Sequence, residues 1–248
     1  MNIVLCALSR SGRHGLNNWL FAHLQHAKPN ASLHNQFDMH SMSSTLVEEG
    51  SYNLFSLEND RGSRGERVNS FPKLLKPTNP INSIQSKNFL LIRDHYNWLA
   101  SLGTVRGLPW HIESSSHLWP EHRKGTRIEA MLQLWKEQAE YALSGRKEFT
   151  ILKYNKWFSS IRYRKSIIKS LGLTFSDENI DHVEDRGGGS SFDACNFSTR
   201  AQKMKVLARY KTPVRGEKAI DKPEYRKLIC NKRLVELSRE LFNFKCPI

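Results

Sequence analysis

The chain has 248 residues, and its hydrophobic share of 39% is enough to build one sizeable core, so we predict a single domain over residues 1–248. The formal net charge of +14 at pH 7 favours anionic partners, which are nucleic acid, an anionic membrane face or a highly charged small molecule. No apolar run approaches the roughly 20 residues needed to span a membrane, and the apolar start at residues 3–8 is too short for a signal peptide, so we expect a cytoplasmic location.

The N-terminal segment has the pattern of a buried strand, a tight loop and a helix. Residues 3–8 form a short continuous apolar run of the kind found in central parallel strands. Apolar residues then recur at helical spacing until Pro29 ends the pattern; they are Leu16, Trp19, Leu20 and Leu24. A strand, a loop and a helix in this order open a βαβ unit.

Strand and helix patterns alternate along the rest of the chain. Further strands are expected at residues 32–36, 52–57, 88–92 and 149–152. Further helices are expected after the cap Asp94, after Thr126, over residues 159–171 up to Gly172, and after Pro223. In the last helix we expect one continuous core face, formed by Leu228, Ile229, Val235, Leu237 and Leu241.

This alternation predicts an α/β fold. We expect three layers, α/β/α, with a mostly parallel central sheet and a P-loop-like strand–loop–helix at the N-terminus. Ligands of such folds bind at the carboxyl ends of the strands. The loops that follow the predicted strands are therefore the places to look for chemistry.

The first such loop is Ser9-Arg10-Ser11-Gly12-Arg13-His14. It leads into a helix N-terminus, where unpaired N–H groups and the helix dipole favour an anion, typically a phosphate. Gly12 allows close approach of the backbone, while Arg10 and Arg13 add guanidinium groups suited to phosphoryl or sulfuryl oxygens. The Walker pattern is absent. A plain strand–helix turn with surface arginines is the alternative interpretation.

A second candidate clamp follows the strand at 88–92. Arg93 ends this strand, and Ser101 lies eight positions further along, in the next helix. With Asp94 as the helix cap, both side chains are expected to converge on one anion beside the first loop. Taken alone, the pair is more simply explained by an arginine paired to a carboxylate and a serine facing solvent.

Together the two sites resemble the sulfotransferase family that depends on 3′-phosphoadenosine 5′-phosphosulfate (PAPS). In that family a loop P-[KR]-S-G-[TS]-[TS] holds the 5′-phosphosulfate, and an Arg followed eight positions later by a Ser holds the 3′-phosphate. Residues 9–12 (SRSG) and 93–101 (RDHYNWLAS) match these motifs. There are two departures: Arg13 and His14 replace the family's hydroxyl pair, and Ser9 replaces its Pro.

Two further segments extend the resemblance over residues 1–192. Residues 149–173, with FTILKYNKW and SLGL, look like the family's strand with a Tyr, its following turn, and a helix that ends in LGL. The glycine-rich stretch after it begins Arg186-Gly187-Gly188, where the family places an Arg-x-Gly contact to the 3′-phosphate. The resemblance implies that these residues help to bind PAPS.

The implied reaction is in-line transfer of a sulfuryl group from PAPS, the co-substrate, to a hydroxyl or amine, and no metal ion is required. Arg10 and the loop N–H groups would stabilise the leaving oxygen. A general base would take the acceptor proton. Glu58, at the end of the strand at 52–57, is the first candidate, and His14 is the second. The alternative interpretations are that Glu58 is a loop carboxylate without a catalytic role and that His14 only binds phosphate.

Three other functions remain open on the sequence alone. A kinase on the same architecture would need a Lys-[ST] after the loop glycine, which is absent. A non-catalytic nucleic-acid binder fits the charge, but no nucleic-acid-binding motif is present, so no nucleic acid is expected as a partner. The third is an inactive member of the sulfotransferase family, which keeps the fold and has lost activity through the altered residues Arg13 and His14. The acceptor is expected to be a small molecule or a glycan.

Overall fold

The computed structural model describes residues 1–8, 10–35, 50–58, 85–105, 127–182, 201–213 and 218–247. Ser9 and residues 183–200, which include Arg186, Gly187 and Gly188, lie outside these ranges. The described strands are β1 (Asn2–Ala7), β2 (Ser32–Asn35), β3 (Asn53–Glu58), β4 (Ser86–Ile92) and β5 (Thr150–Lys153). The described helices are α1 (Arg13–Ala27), α2 (His95–Val105), α3 (Arg127–Leu143), α4 (Tyr154–Ser159), α5 (Ile161–Leu171), α6 (Pro223–Ile229) and α7 (Lys232–Phe242).

The described strands form one sheet in the order β2-β3-β1-β4-β5, and every pairing within it is parallel. β1 is central, with Leu5 paired to Ser56 of β3 and to Phe89 of β4. The predicted α/β fold with a parallel sheet is confirmed. The apolar run at the start of β1 is explained by its position, because a central parallel strand is covered on both faces.

Side chains of β1 alternate between two helical layers. Ile3, Leu5 and Ala7 pack in one buried cluster with α1, α4 and α5. Val4 and Cys6 face the other way and share a cluster with Tyr141 of α3. The remaining part of α3 packs with α2, α6 and α7 in a third cluster. The chain therefore has the three predicted layers.

This arrangement is the topology that favours a ligand crevice at the carboxyl edge of the sheet. β1 leads into α1 on one face, whereas its neighbour β4 leads into α2 on the other face. Where adjacent parallel strands continue to opposite faces, their carboxyl ends leave room for a ligand. Both candidate clamps follow these two strands.

The C-terminal helix prediction was wrong in one respect. We expected one helix, and the structure has two, α6 and α7, separated at residues 230–231. The side chain of Asn231 accepts a hydrogen bond from Leu234 N–H and so starts a new helix. Leu234, and not Val235, is buried in the core.

The short helix α4 was also not predicted. Its six residues directly follow β5 and include Tyr154 and Trp157, which are both buried. No helix within the described ranges is both long enough and apolar enough to cross a membrane.

Candidate functional site

The loop between β1 and α1 is a tight turn with two residues in left-handed backbone conformation. Arg10 has a φ of 67° and Gly12 a φ of 92°. Both the N–H and the hydroxyl of Ser11 donate to Leu8 O, at 3.2 and 2.6 Å. Gly12 precedes the helix and provides no side-chain cap. The first N–H groups of α1 therefore have no capping side chain from Gly12, and they follow the carboxyl end of β1, where a helix N-terminus favours an anion.

Gly12 packs against the ring of Tyr154. A Cβ atom at this position would lie 2.0 Å from Tyr154 Cε2, so only glycine fits. The same ring lies below the guanidinium of Arg93, whose Cζ is 5.0 Å from the ring centroid. Tyr154 therefore forms a wall that connects the loop with the second clamp.

The second clamp contains two arginines around one serine. Arg93 Nη1 lies 3.4 Å from Ser101 Oγ and donates to Arg10 O at 3.2 Å. Arg209 Nη1 donates to the same Ser101 Oγ at 2.7 Å. The structure thus brings Arg93 and Ser101 together beside the first loop, as the sequence predicts.

Both guanidinium groups are buried, which makes the clamp strongly electropositive. Arg93 is 3% exposed and Arg209 is 7% exposed. Burial lowers the pKa of Arg93, and the Asp94 carboxylate offsets part of this effect. Burial, followed by the charge of Arg93, lowers the pKa of Arg209 to about 9. An anion placed between the two cations would relieve their repulsion.

The Nε of Arg93 is a buried donor without a hydrogen-bond partner among the described residues. Buried polar atoms are normally satisfied, so an orphaned donor beside two cations fits a site for an anionic ligand. Ser101 accepts from both arginines, which leaves its own hydroxyl proton available for an acceptor.

Arg209 is the residue that the sequence did not single out. It belongs to the basic stretch at 200–218, in which Lys203, Lys205 and Lys211 are exposed and Arg209 is buried. This stretch has no apolar period that would distinguish the buried member. The only signal was the high density of positive charge.

Arg13 and His14 differ in their surroundings. Arg13 is buried, and its Nη1 donates to Ser56 Oγ of β3 at 2.6 Å, where Asn17 Nδ2 of α1 also donates at 2.7 Å. The guanidinium thus bonds to β3 beneath the loop. His14, the second residue of α1, is partly buried. Its role as a base remains a prediction.

The other predicted site residues are placed only in part. The backbone of Glu58 ends β3 and pairs with Ala7 at the carboxyl end of β1, and its side chain lies outside what the structure describes. Within the described ranges, no group of three or more His, Cys, Asp or Glu side chains is arranged to hold a metal ion.

Comparisons with known proteins give a distant structural likeness. No family model matches the sequence, and no curated protein matches it. Among solved structures, the chain is similar to mouse sulfotransferase SULT7A1 complexed with PAP, with a TM-score of 0.45 and 14% sequence identity over 96% of this chain and 83% of that chain. At this distance the likeness carries no argument about a reaction.

Proposed function

We propose that this protein is a sulfotransferase that uses PAPS as the sulfuryl donor. The observation that carries the proposal is the meeting of Arg93 and Arg209 at Ser101, directly beside the β1–α1 loop. Two buried cations on one hydroxyl form a site for a doubly charged anion, and a second anion site lies next to it at a helix N-terminus. PAPS carries anionic groups at both ends of its ribose.

The two anionic ends of the donor are assigned to the two parts of the site. The 3′-phosphate binds between Arg93, Ser101 and Arg209. The 5′-phosphosulfate binds on the loop of residues 9–14, where α1 N–H groups and Arg10 face it. Arg93 joins the two parts, because it donates to Arg10 O and lies near Ser101 Oγ. Arg186, Gly187 and Gly188 are proposed as further contacts of the donor.

The reaction is an in-line displacement at sulfur. The acceptor oxygen or nitrogen forms a bond to sulfur, the bond from sulfur to the bridging oxygen breaks, and adenosine 3′,5′-bisphosphate leaves with the electron pair. Arg10 and the loop N–H groups stabilise the negative charge on the leaving oxygen. The charge of Arg10 and the dipoles of the loop N–H groups take the role that a metal ion has in most phosphoryl transfers.

A base at the carboxyl edge of the sheet accepts the proton that the acceptor loses. Glu58 is the first choice, since its backbone ends β3 beside the end of β1, and His14 at the start of α1 is the second.

With sulfur-labelled PAPS and a panel of small hydroxyl, amine and glycan acceptors, Glu58→Gln should lose transfer and retain donor binding. Full transfer by Glu58→Gln, with loss in His14→Gln, would assign the base to His14.

The donor site is tested by calorimetric titration with adenosine 3′,5′-bisphosphate, with ADP and ATP–Mg²⁺ as controls. We expect micromolar affinity for the bisphosphate, much weaker binding of ADP, and loss of binding in Arg93→Ala. Equal affinity for ADP, or a preference for ATP–Mg²⁺, would overturn the proposal and favour a kinase or a general anion-binding protein.

A further inference from the structure

Residues 206–209 lie against the corner between β4 and α2, although they are more than 100 residues away along the chain. Arg93 Nη2 donates to Val206 O. Asn97 Nδ2 donates to Leu207 O at 3.1 Å, and Arg209 N–H donates to Asn97 Oδ1 at 2.7 Å. One asparagine therefore holds the backbone of this segment on both sides of Ala208.

The orientation of the Asn97 amide is determined by Asp94. Asn97 Nδ2 lies 3.0 Å from each carboxylate oxygen of Asp94. A carboxylate accepts hydrogen bonds and does not donate them, so the NH₂ group must face it. The carbonyl oxygen of the amide is then turned towards the N–H of Arg209, and the opposite orientation would break every one of these bonds.

Asp94 is itself rigidly held. It accepts from Asn97 N–H at 2.9 Å, as the cap of α2, and from Asn155 Nδ2 of α4 at 2.8 Å. Asp94 and Asn97 are both fully buried. A buried network in which each group has partners fixes one geometry.

The same network determines where the side chain of Arg209 can reach. Asn97 and Ser101 are four residues apart on α2, so they lie on one face of the helix. Arg209 is bound at two points on that face, by its N–H to Asn97 and by its Nη1 to Ser101. The backbone of Arg209 is held at Asn97, which lies one helical turn before Ser101. This attachment sets the position of the Arg209 guanidinium in the clamp.

We propose that Asn97 is a positioning residue, which holds Arg209 in the clamp and thereby provides selectivity for a ligand with a 3′-phosphate. The proposal rests on the proposed function, because it assigns the 3′-phosphate to the clamp. Asn97 does not touch the ligand. Asn97 is expected to increase the affinity only for ligands that carry the 3′-phosphate, since the 5′ end of the ligand lies on the β1–α1 loop.

The measured quantity is the ratio of two dissociation constants, that of AMP divided by that of adenosine 3′,5′-bisphosphate. This ratio isolates the contribution of the 3′-phosphate. Asn97→Ser should lower the ratio roughly 10- to 100-fold, as expected for a lost or misplaced charge-assisted hydrogen bond, with AMP affinity unchanged. Asn155→Ser is the matched control: it removes a bond of the same kind to Asp94, whereas the hydrogen bonds to residues 206–209 come from Asn97 and Arg93, and it should keep most of the ratio.

A double-mutant cycle with Arg209→Gln tests whether Asn97 acts through Arg209. If it does, Asn97→Ser should have little further effect on the ratio once Arg209 is replaced. Additive losses would overturn the proposal, as would an equal loss of AMP affinity or an equal effect of Asn155→Ser. If Asn97→Ser does not fold, Asn97→Gln, which keeps an amide to face Asp94 but shifts it by one methylene group from Arg209 N–H, takes its place with the same expected non-additivity.

The failure of this proposal and that of the proposed function give different results. If the wild-type ratio is near one and Arg93→Ala leaves it unchanged, the clamp does not bind a 3′-phosphate and the proposed function fails. If the wild-type ratio is large and Arg93→Ala abolishes it, but Asn97→Ser keeps it, the donor site stands and Asn97 is not its positioning residue.

Discussion

Arg209 carries a positive charge in a place that disfavours it when no ligand is bound. Burial and the neighbouring Arg93 lower its pKa to about 9, and this shift means that the folded protein holds the charge at a cost. Replacing a buried charge with an apolar side chain of similar length is often neutral or stabilising. In Arg209→Met we therefore expect the free protein to melt roughly 2–4 °C higher, which corresponds to about 1 kcal/mol.

The same substitution should weaken the binding of adenosine 3′,5′-bisphosphate, because it removes one cation of the clamp. Thermal melts without ligand, together with titration, test both effects in one variant. Arg233→Met is a suitable control, since Arg233 is exposed and paired with Glu140 outside the clamp. A lower melting temperature combined with unchanged affinity would show that Arg209 is structural and not a ligand of the anion.

Gly12 is required by both its backbone conformation and the ring beside it. In Gly12→Ala the methyl group would overlap Tyr154, since a Cβ would lie 2.0 Å from Cε2, and the φ of 92° adds conformational strain. We expect a loss of about 2–4 kcal/mol in the free energy of unfolding, measured by urea denaturation.

Gly172→Ala separates the two causes. Gly172 has a φ of 73°, and beyond its chain neighbours no atom of the described residues lies within 4 Å of the point that an alanine Cβ would occupy there, so only backbone strain applies and about 1 kcal/mol is expected. In a Tyr154→Ala background, Gly12→Ala should cost no more than Gly172→Ala does in the wild type. Equal costs of the two glycine variants in the wild-type background would contradict the proposed contact with Tyr154.

At the level of residues, the sequence predicts what is local. Arg93 and Ser101 are eight positions apart, and the strand–helix boundary between them is marked by the Asp94 cap, so their convergence follows from helix geometry. Arg209 reaches the same hydroxyl from 108 positions away. The stretch around Arg209 has no apolar periodicity that would mark a buried position. The contact between Arg209 and Ser101 is therefore seen only in the folded chain.

At the level of elements, His95 connects α2 to the two C-terminal helices. Its Nε2–H donates to Ile229 O at the end of α6, since a carbonyl only accepts, and its Nδ1 therefore accepts from the hydroxyl of Ser238 in α7, at 2.5 Å. With the ring neutral, these two bonds place its proton on Nε2. Burial lowers the pKa of His95 to about 4 from its ordinary 6.5.

This connection predicts a loss of stability in acid. The unfolded chain binds a proton at His95 as pH falls below 6.5, whereas the folded chain does so only near pH 4, so the stabilisation is full above pH 6.5 and decreases down to about pH 4. The stabilisation lost between these pH values amounts to about 3 kcal/mol in the free energy of unfolding. Urea denaturation at pH 7 and pH 4.5 should show this loss in the wild type and a smaller one in His95→Gln, which has no proton to gain. An equal loss in both proteins would contradict it.

Element prediction succeeded where an apolar period was long enough. The strands around β1 and the helix α1 have clear patterns, whereas the six residues of α4 are too few to show one. The break between α6 and α7 did leave a signal. Buried apolar positions are spaced by three or four within each helix, but Ile229 and Leu234 are five apart, which is out of phase for one continuous helix.

At the level of the whole molecule, the net charge of +14 has two separable consequences. A diffuse positive field attracts any polyanion, and this attraction is screened by salt within about 10 Å at 0.1 M ionic strength. The clamp holds its charges on the buried side chains of Arg93 and Arg209, where screening is weaker. Binding of duplex DNA and binding of adenosine 3′,5′-bisphosphate should therefore respond differently to salt.

A salt titration from 50 to 200 mM KCl distinguishes the two modes of binding. Affinity for duplex DNA should fall by about 10³-fold or more, as for proteins that contact many phosphates. Affinity for the bisphosphate should fall by less than about tenfold, because a compact ligand in a buried clamp releases few counterions. Arg93→Ala should abolish only the bisphosphate component, since one charge in +14 barely changes the field. A parallel decline of both affinities, each insensitive to Arg93→Ala, would mean that the bisphosphate binds to the surface field and not between Arg93 and Arg209.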